Sequence, residues 1–421
     1  MAESDRRIID GLEFVQQFLF PRILRAATMA LQPPRLVLGL LMVAALMTVG
    51  RIWHSPTVGP QGLMSGRWSP DEAGAGEEGL SIFQATVDHV AASFNRLVEG
   101  LALLRFGQFF AGLGDLFVRT PIAAWQHDKV FTIVYGLFFV VVMALGGGAL
   151  SRMAATELSS GEKPRMQQAV DFALGAWRRL IFCLLLPLLI AGVLSLLLLG
   201  GGWFLMLPGL DLLGGLLYGL ALLAGFGVAF LLIGYAAGFS LLVPAVACEN
   251  CDAADAQQRA YAYVLSRPLH LLGYVVVGFV GLALGFVVVS LFAVALLNIT
   301  GALVGAVTAN PAMDGAGGSA LFALTAGAAT GDDLSWHSQW SAWLVSFWQM
   351  VVVSAVGGYV LAYYFSASTI VYLLMRRVCD GQDIAEMWEP GVVPGTMAPV
   401  PEADDSDEAL EPADSGAIDE Q

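Results

Sequence analysis

Cys248 and Cys251, separated by Glu249 and Asn250, stand at the spacing of a redox dithiol or of half a zinc site. A structural zinc needs four ligands, and only Cys379 and His270 are placed to complete the set. The plainer reading, which we expect, is two small residues at a helix end in a reducing compartment. Four Cys in a chain of 421 residues do not make a disulfide framework. His54, His89, His127 and His337, with Asp71, Glu72, Glu77, Glu78, Asp332 and Asp333 nearby in sequence, offer a second set of metal-binding types. No two of these histidines are four residues apart on one helix, so solvated loop positions are expected. No Ser/His/Asp arrangement, glycine-rich phosphate loop or metalloprotease helix pattern occurs. We therefore expect no enzyme, no cofactor, and no catalytic, cofactor-binding or metal-ligating residue.

Whatever these residues do, six long apolar runs must position them. They span 36–50, 130–150, 180–206, 215–246, 271–297 and 341–375, and none contains Lys, Arg, His or Glu. A helical crossing needs about 20 predominantly apolar residues, and irregular backbone cannot face lipid. The hydrophobic fraction is 57% and the charged fraction 13%, against about a quarter charged in soluble domains. The expected fold class is all-α, a polytopic transmembrane bundle of six spans with amphipathic helices on both sides. The expected domains are an amphipathic N-terminal segment 1–35, a six-span domain 36–378 with an outer insertion 54–128, and an acidic disordered tail 379–421. The first span has only about 15 uncharged residues, so we extend it to 36–53 with Arg51 snorkelling to the interface. The absence of an apolar run before Leu36 reads as a retained anchor rather than a cleaved signal.

The net charge of −15 belongs to the tail, because residues 379–421 hold 13 Asp/Glu and no Lys/Arg, leaving −2 for the rest. Without a basic face, nucleic acid is not expected as a partner. Of 20 basic residues, 14 collect on one side of the six-span scheme and 6 flank or enter the long insertion on the other. The positive-inside rule then puts both termini in the cytoplasm. Only Lys129 and Lys163 are Lys, and an Arg bias with an Ala/Gly/Leu/Val-rich core suggests a bacterial genome, hence the bacterial cytoplasmic (inner) membrane.

The segments before the odd-numbered spans resemble one another: Ala155-Thr156-Glu157, Gln167-Gln168 and Trp177-Arg178-Arg179 against Ala247-Cys248-Glu249, Gln257-Gln258 and Arg267-Pro268. We read three units, each an amphipathic helix, an outward span and a return span. The insertion predicts a helix over 80–106 with an apolar stripe of Val87, Val90, Phe94, Leu97, Leu101 and Leu104. Gln84, Asp88, Ser93, Arg96 and Glu99 fall off that stripe, and 107–126 reads as interfacial. Besides the lipid bilayer, the expected partner is another protein or a second copy, met through the 80–126 insertion. Gly215/Gly219, Gly234/Gly238 and Gly281/Gly285 permit close helix contact, Gly357-Gly358 marks a kink or overhang in the last span, and Trp336, Trp340, Trp343 and Trp348 read as an aromatic belt.

The run Pro244-Ala245-Val246-Ala247-Cys248-Glu249-Asn250, followed by Asp255-Ala256 and Arg259, resembles an element of uncharacterised bacterial six-span families, among them relatives of the membrane domain fused to glycerophosphodiester phosphodiesterases. The resemblance implies the six-span layout. It carries no phosphodiesterase activity here, because the catalytic domain is absent, and no residue roles. The function expected is a non-catalytic scaffold or membrane-embedded subunit of an assembly. The alternative is a transporter or permease subunit for a lipid or small solute. The spans lack the buried charges of a coupled pump and offer only groups such as Ser195, Ser290, Ser346, Gln349 and Tyr359.

Overall fold

A computed structural model describes residues 20–54, 56–59, 62–64, 79–161, 163–206, 211–307 and 335–382. The acidic tail beyond 382, most of the 54–79 loop and the 308–334 connection lie outside the described residues. Helix α1 (Phe20–Ala30) leads into α2 (Pro33–Gly50). A two-stranded antiparallel ribbon, β1 (Pro56–Val58) with β2 (Leu80–Ser81), precedes α3 (Ile82–Ala102) and α4 (Phe106–Gly114). A π-helical turn, Asp115–Arg119, continues into α5 (Thr120–His127). Then come α6 (Lys129–Ser159), α7 (Met166–Gly175), α8 (Trp177–Met206) and α9 (Asp211–Glu249). The described chain closes with α10 (Ala253–Ser266), α11 (Pro268–Gly305) and α12 (Trp336–Asp380).

Six of these helices, α2, α6, α8, α9, α11 and α12, are long and apolar enough to cross a membrane. The fold is an all-α bundle, as the six charge-free runs predict. The three-unit reading has its counterpart in the architecture: α1, α7 and α10 each lie before a pair of long helices. Chain chemistry sets the breaks between them. Pro33 and Pro268 stand in the first turns of α2 and α11, where a missing N–H is harmless. Asp128 caps α6 by accepting from the N–H groups of Val130 and Phe131 at 2.8 and 3.0 Å. Helix α12 runs without a break through Gly357-Gly358.

What Gly358 provides is approach. A Cβ on Gly39 would stand 2.3 Å from the Gly358 carbonyl oxygen, and one on Gly358 would stand 2.6 Å from the Leu40 nitrogen. Helices α2 and α12 therefore cross backbone to backbone, the contact that small residues allow where lipid supplies no hydrophobic drive. Of the three glycine pairs singled out above, Gly234/Gly238 faces Tyr261 and Ala260 of α10, and Gly281/Gly285 lies beneath the hydroxyls of Tyr363 and Tyr359. Gly215 and Gly219 have open space beside them.

The main core occupies one end of the bundle, where the starts of α2, α8 and α11 meet the ends of α6, α9 and α12. Ile370, Tyr372, Leu373, Leu374 and Met375 of α12 are buried there against Ile23 and Met29 of α1, Leu150 and Met153 of α6, and Leu241 and Val246 of α9. The first and last described helices thus end on the same face. A smaller cluster at the opposite end joins Val58, Leu63, Ile82, Phe83, Ala123, Ala124 and Phe131.

Candidate functional site

Two ionic knots tie the core end together. Glu157, near the end of α6, is buried and takes the Arg35 guanidinium at 2.9 Å and the Gln32 amide at 3.0 Å, with Arg25 at 3.7 Å. Arg35 is fully buried, and its guanidinium also donates to the Met153 carbonyl at 2.8 Å and to Gln32 Oε1 at 2.9 Å. Glu249, at the end of α9, takes Arg259 of α10 at 2.7 Å and Arg376 of α12 at 3.8 Å. Tyr372 donates its hydroxyl to the same carboxylate, and Tyr263 donates to Asp380. Burial and its bond to Asp380 hold the Tyr263 phenol well above its ordinary range, while Glu249 raises the Arg259 pKa against the desolvation that opposes it.

The CxxC pair lies inside this layer. Cys248 is fully buried, and Cys251 donates to the Ala245 carbonyl at 3.6 Å. Burial pushes the Cys251 thiol up to about 12, with the nearby Glu249 charge acting in the same direction. Asn250 between them adopts a left-handed conformation (φ 51°), tolerable for Asn, and its carbonyl and side-chain oxygens accept from Arg179 at 2.9 and 2.7 Å. Among the described residues, no three or more His, Cys, Asp or Glu are grouped to hold a metal ion. His54 and His337 instead bond locally, to the Ile52 carbonyl and Ser335, and His127 bonds across the insertion to the Leu63 carbonyl. Reasoning from the sequence singled out the cysteines and passed over Arg35, Glu157 and Arg376. Their signal was present, because a charge inside the limit of an apolar helix is rarely left unpaired.

The insertion forms a helical hairpin, in which the segment after α3 turns back onto it. Helix α3 ends at Ala102, and just beyond it Leu104 takes a left-handed conformation (φ 54°) while the Arg105 N–H bonds back to the Gly100 carbonyl at 2.7 Å. Helix α4 then returns along α3, and a Cβ on Gly112 would stand 2.9 Å from the Ser93 carbonyl oxygen. The stripe is therefore displaced from the one expected. Ser93, placed on the polar face, is 1% exposed, whereas Val90 and Leu104 of the stripe are 39% and 72% exposed. The physical reason is that α3 has two partners: α4 covers Ser93 and Leu97, while α11 covers Phe94 and Val98. Asp115 is buried in the hairpin, held by Arg96 and by Arg119 at 3.1 Å.

Between α9 and α11, each packed on α12, lies a narrow crevice, part of it open to the surroundings, with a cavity volume of about 50 Å³. Its walls are almost wholly apolar, with Gly278, Leu282 and Ala367 beside the hydroxyl groups of Ser240, Tyr363 and Ser368. Tyr363 is buried, and its hydroxyl rests over Gly281 without a hydrogen-bond partner among the described residues. The crevice lacks the paired acid and base, or the activated nucleophile, that bond-making requires. In comparisons with known proteins, no family model, no curated protein and no solved structure matches this chain.

Proposed function

We propose that this chain is a non-catalytic integral membrane protein, acting as a scaffold or as a membrane-embedded subunit of an assembly. The observation that carries this reading is the α8–α9 hairpin. Away from the core end its two helices turn apolar side chains outward, with Leu196, Leu199, Trp203, Leu216, Leu220 and Phe226 all more than half exposed. Beside them Gly192, Gly200, Gly201, Gly202, Gly215 and Gly219 have nothing within 4 Å of where a Cβ would stand. Glycines in a membrane helix favour close contact with another helix, and among the described residues no further helix covers these positions. The ionic knots support the same reading, since they join helices instead of leaving a reactive group free. The excess of Arg at the core end supports a bacterial cytoplasmic membrane with both termini cytoplasmic. Affinity capture of the full chain in mild detergent should recover a stoichiometric partner or a self-associated form. A lone monomer would refute the reading.

A second reading, a transporter or permease subunit for a lipid or small solute, is favoured by the apolar crevice under Tyr363. Lipid or solute flux in reconstituted vesicles separates it from the first.

A further inference from the structure

The outward flank of the α3–α4 hairpin carries polar side chains at a depth where lipid chains are expected. Helix α11 has 38 residues and is about 57 Å long, and Phe286 stands at its midpoint. A hydrocarbon layer about 30 Å thick, placed anywhere along that length, includes the midpoint. Phe94 of the hairpin packs edge-on against Phe286 with ring centroids 5.0 Å apart, and Phe109 packs against Phe279 at 5.9 Å. Phe117 reaches Phe239 of α9 at 6.4 Å. The hairpin thus enters from the end where α2 stops and α6 begins, and returns to it. Within a turn or so of Phe94, its open side forms a groove of about 910 Å³, mouth included, lined by Asn95, Arg96, Glu99 and Gln108.

Charged and amide groups at hydrocarbon depth need water, protein or headgroups to solvate them. Arg96 has Asp115, but Glu99 has no ion-pair partner among the described residues. Next to the groove, the tip and outer edge of the hairpin are apolar, with Leu103, Leu104, Phe106 and Phe110 all more than half exposed. A cation, an anion and an amide donor side by side, bordered by a greasy edge, match an amphiphile whose headgroup carries both charges. We propose that this groove holds the headgroup of a zwitterionic phospholipid from the surrounding bilayer. The phosphate is met by the remaining donors of Arg96 and by the Gln108 amide, the ammonium by Glu99, and the acyl chains lie along Leu103, Leu104, Phe106 and Phe110. This inference does not depend on the assembly reading, because a scaffold and a permease would each need that flank solvated.

Native mass spectrometry of the full-length protein in mild detergent tests it, with equimolar phosphatidylethanolamine, phosphatidylglycerol and diacylglycerol added. Phosphatidylethanolamine should be retained over phosphatidylglycerol, and both over diacylglycerol, which lacks the phosphate. Glu99→Gln should reduce the preference for phosphatidylethanolamine over phosphatidylglycerol by about tenfold, the loss of one charge-assisted hydrogen bond. Gln108→Leu should weaken both phospholipids alike. Arg96 is left unchanged because it holds Asp115. Equal retention of all three lipids by the unmodified protein, or an unchanged headgroup preference in Glu99→Gln, would overturn the proposal. The first of these outcomes needs no variant, so it stands even if a substitution disturbs folding.

Discussion

Replacing Glu157 by Gln leaves the Arg35 guanidinium charged and without its carboxylate at a fully buried position. Breaking one side of a buried pair typically costs about 3–5 kcal/mol, chiefly because the surviving charge is left uncompensated. Arg35 would still have neutral acceptors, the Met153 and Met29 carbonyls and Gln32 Oε1, at 2.8, 3.3 and 2.9 Å. These place the expected loss at the lower end, about 3 kcal/mol. The double variant Arg35→Met with Glu157→Met removes both charges and keeps most of the volume, so it should lie within about 1 kcal/mol of the parent. Unfolding equilibria in mixed micelles of mild and denaturing detergent, read for the parent, both single variants and the double, give the coupling directly. The reasoning fails if Glu157→Gln costs less than about 1 kcal/mol, which would mean water reaches Arg35. It fails equally if the double variant is as damaged as the single ones.

Gly358→Ala should destabilise by about 1–3 kcal/mol, since its methyl group meets the Leu40 backbone, whereas Gly357→Ala meets only the movable Val43 side chain and should be near neutral; thermal unfolding of the pair checks this. Ser93→Asp buries a carboxylate between α3 and α4 and should cost several kcal/mol in the same assay, while Gln84→Asp on the exposed side should be tolerated. With its thiol pushed from 9.0 to about 12, Cys251 should alkylate at pH 8 about 50-fold more slowly than an ordinary thiol, because thiolate is scarce though somewhat more nucleophilic. A Cys251 that reacts as fast as a free thiol would restore the redox reading. Reporter fusions after Gly161, Asp252 and Asp380 should report cytoplasm and those at Gly76 and Gly315 the outer side; a cytoplasmic signal at Gly315 would remove the six-span layout.

The number and order of the long helices are legible in the charge-free runs alone. Charge is costly in hydrocarbon, so its exclusion from a run is visible without any contact, and all six runs lie within the long helices. The sequence also placed a helix after residue 80, because an apolar spacing of three and four residues is a property of one element. The face that helix buries was decided by the tertiary structure. Two different neighbours, α4 and α11, cover adjacent faces of the helix, so Ser93 is sealed while Leu104 is left open. The docking of the hairpin on α11, the crossing of Gly39 with Gly358 and the pairing of Arg35 with Glu157 were equally beyond a linear reading. Each joins residues far apart in sequence, and local propensity carries no information about which distant backbone or charge will arrive. Lipid solvates the outside of every span alike, so only packing between helices distinguishes a glycine that touches a neighbour from one that touches nothing.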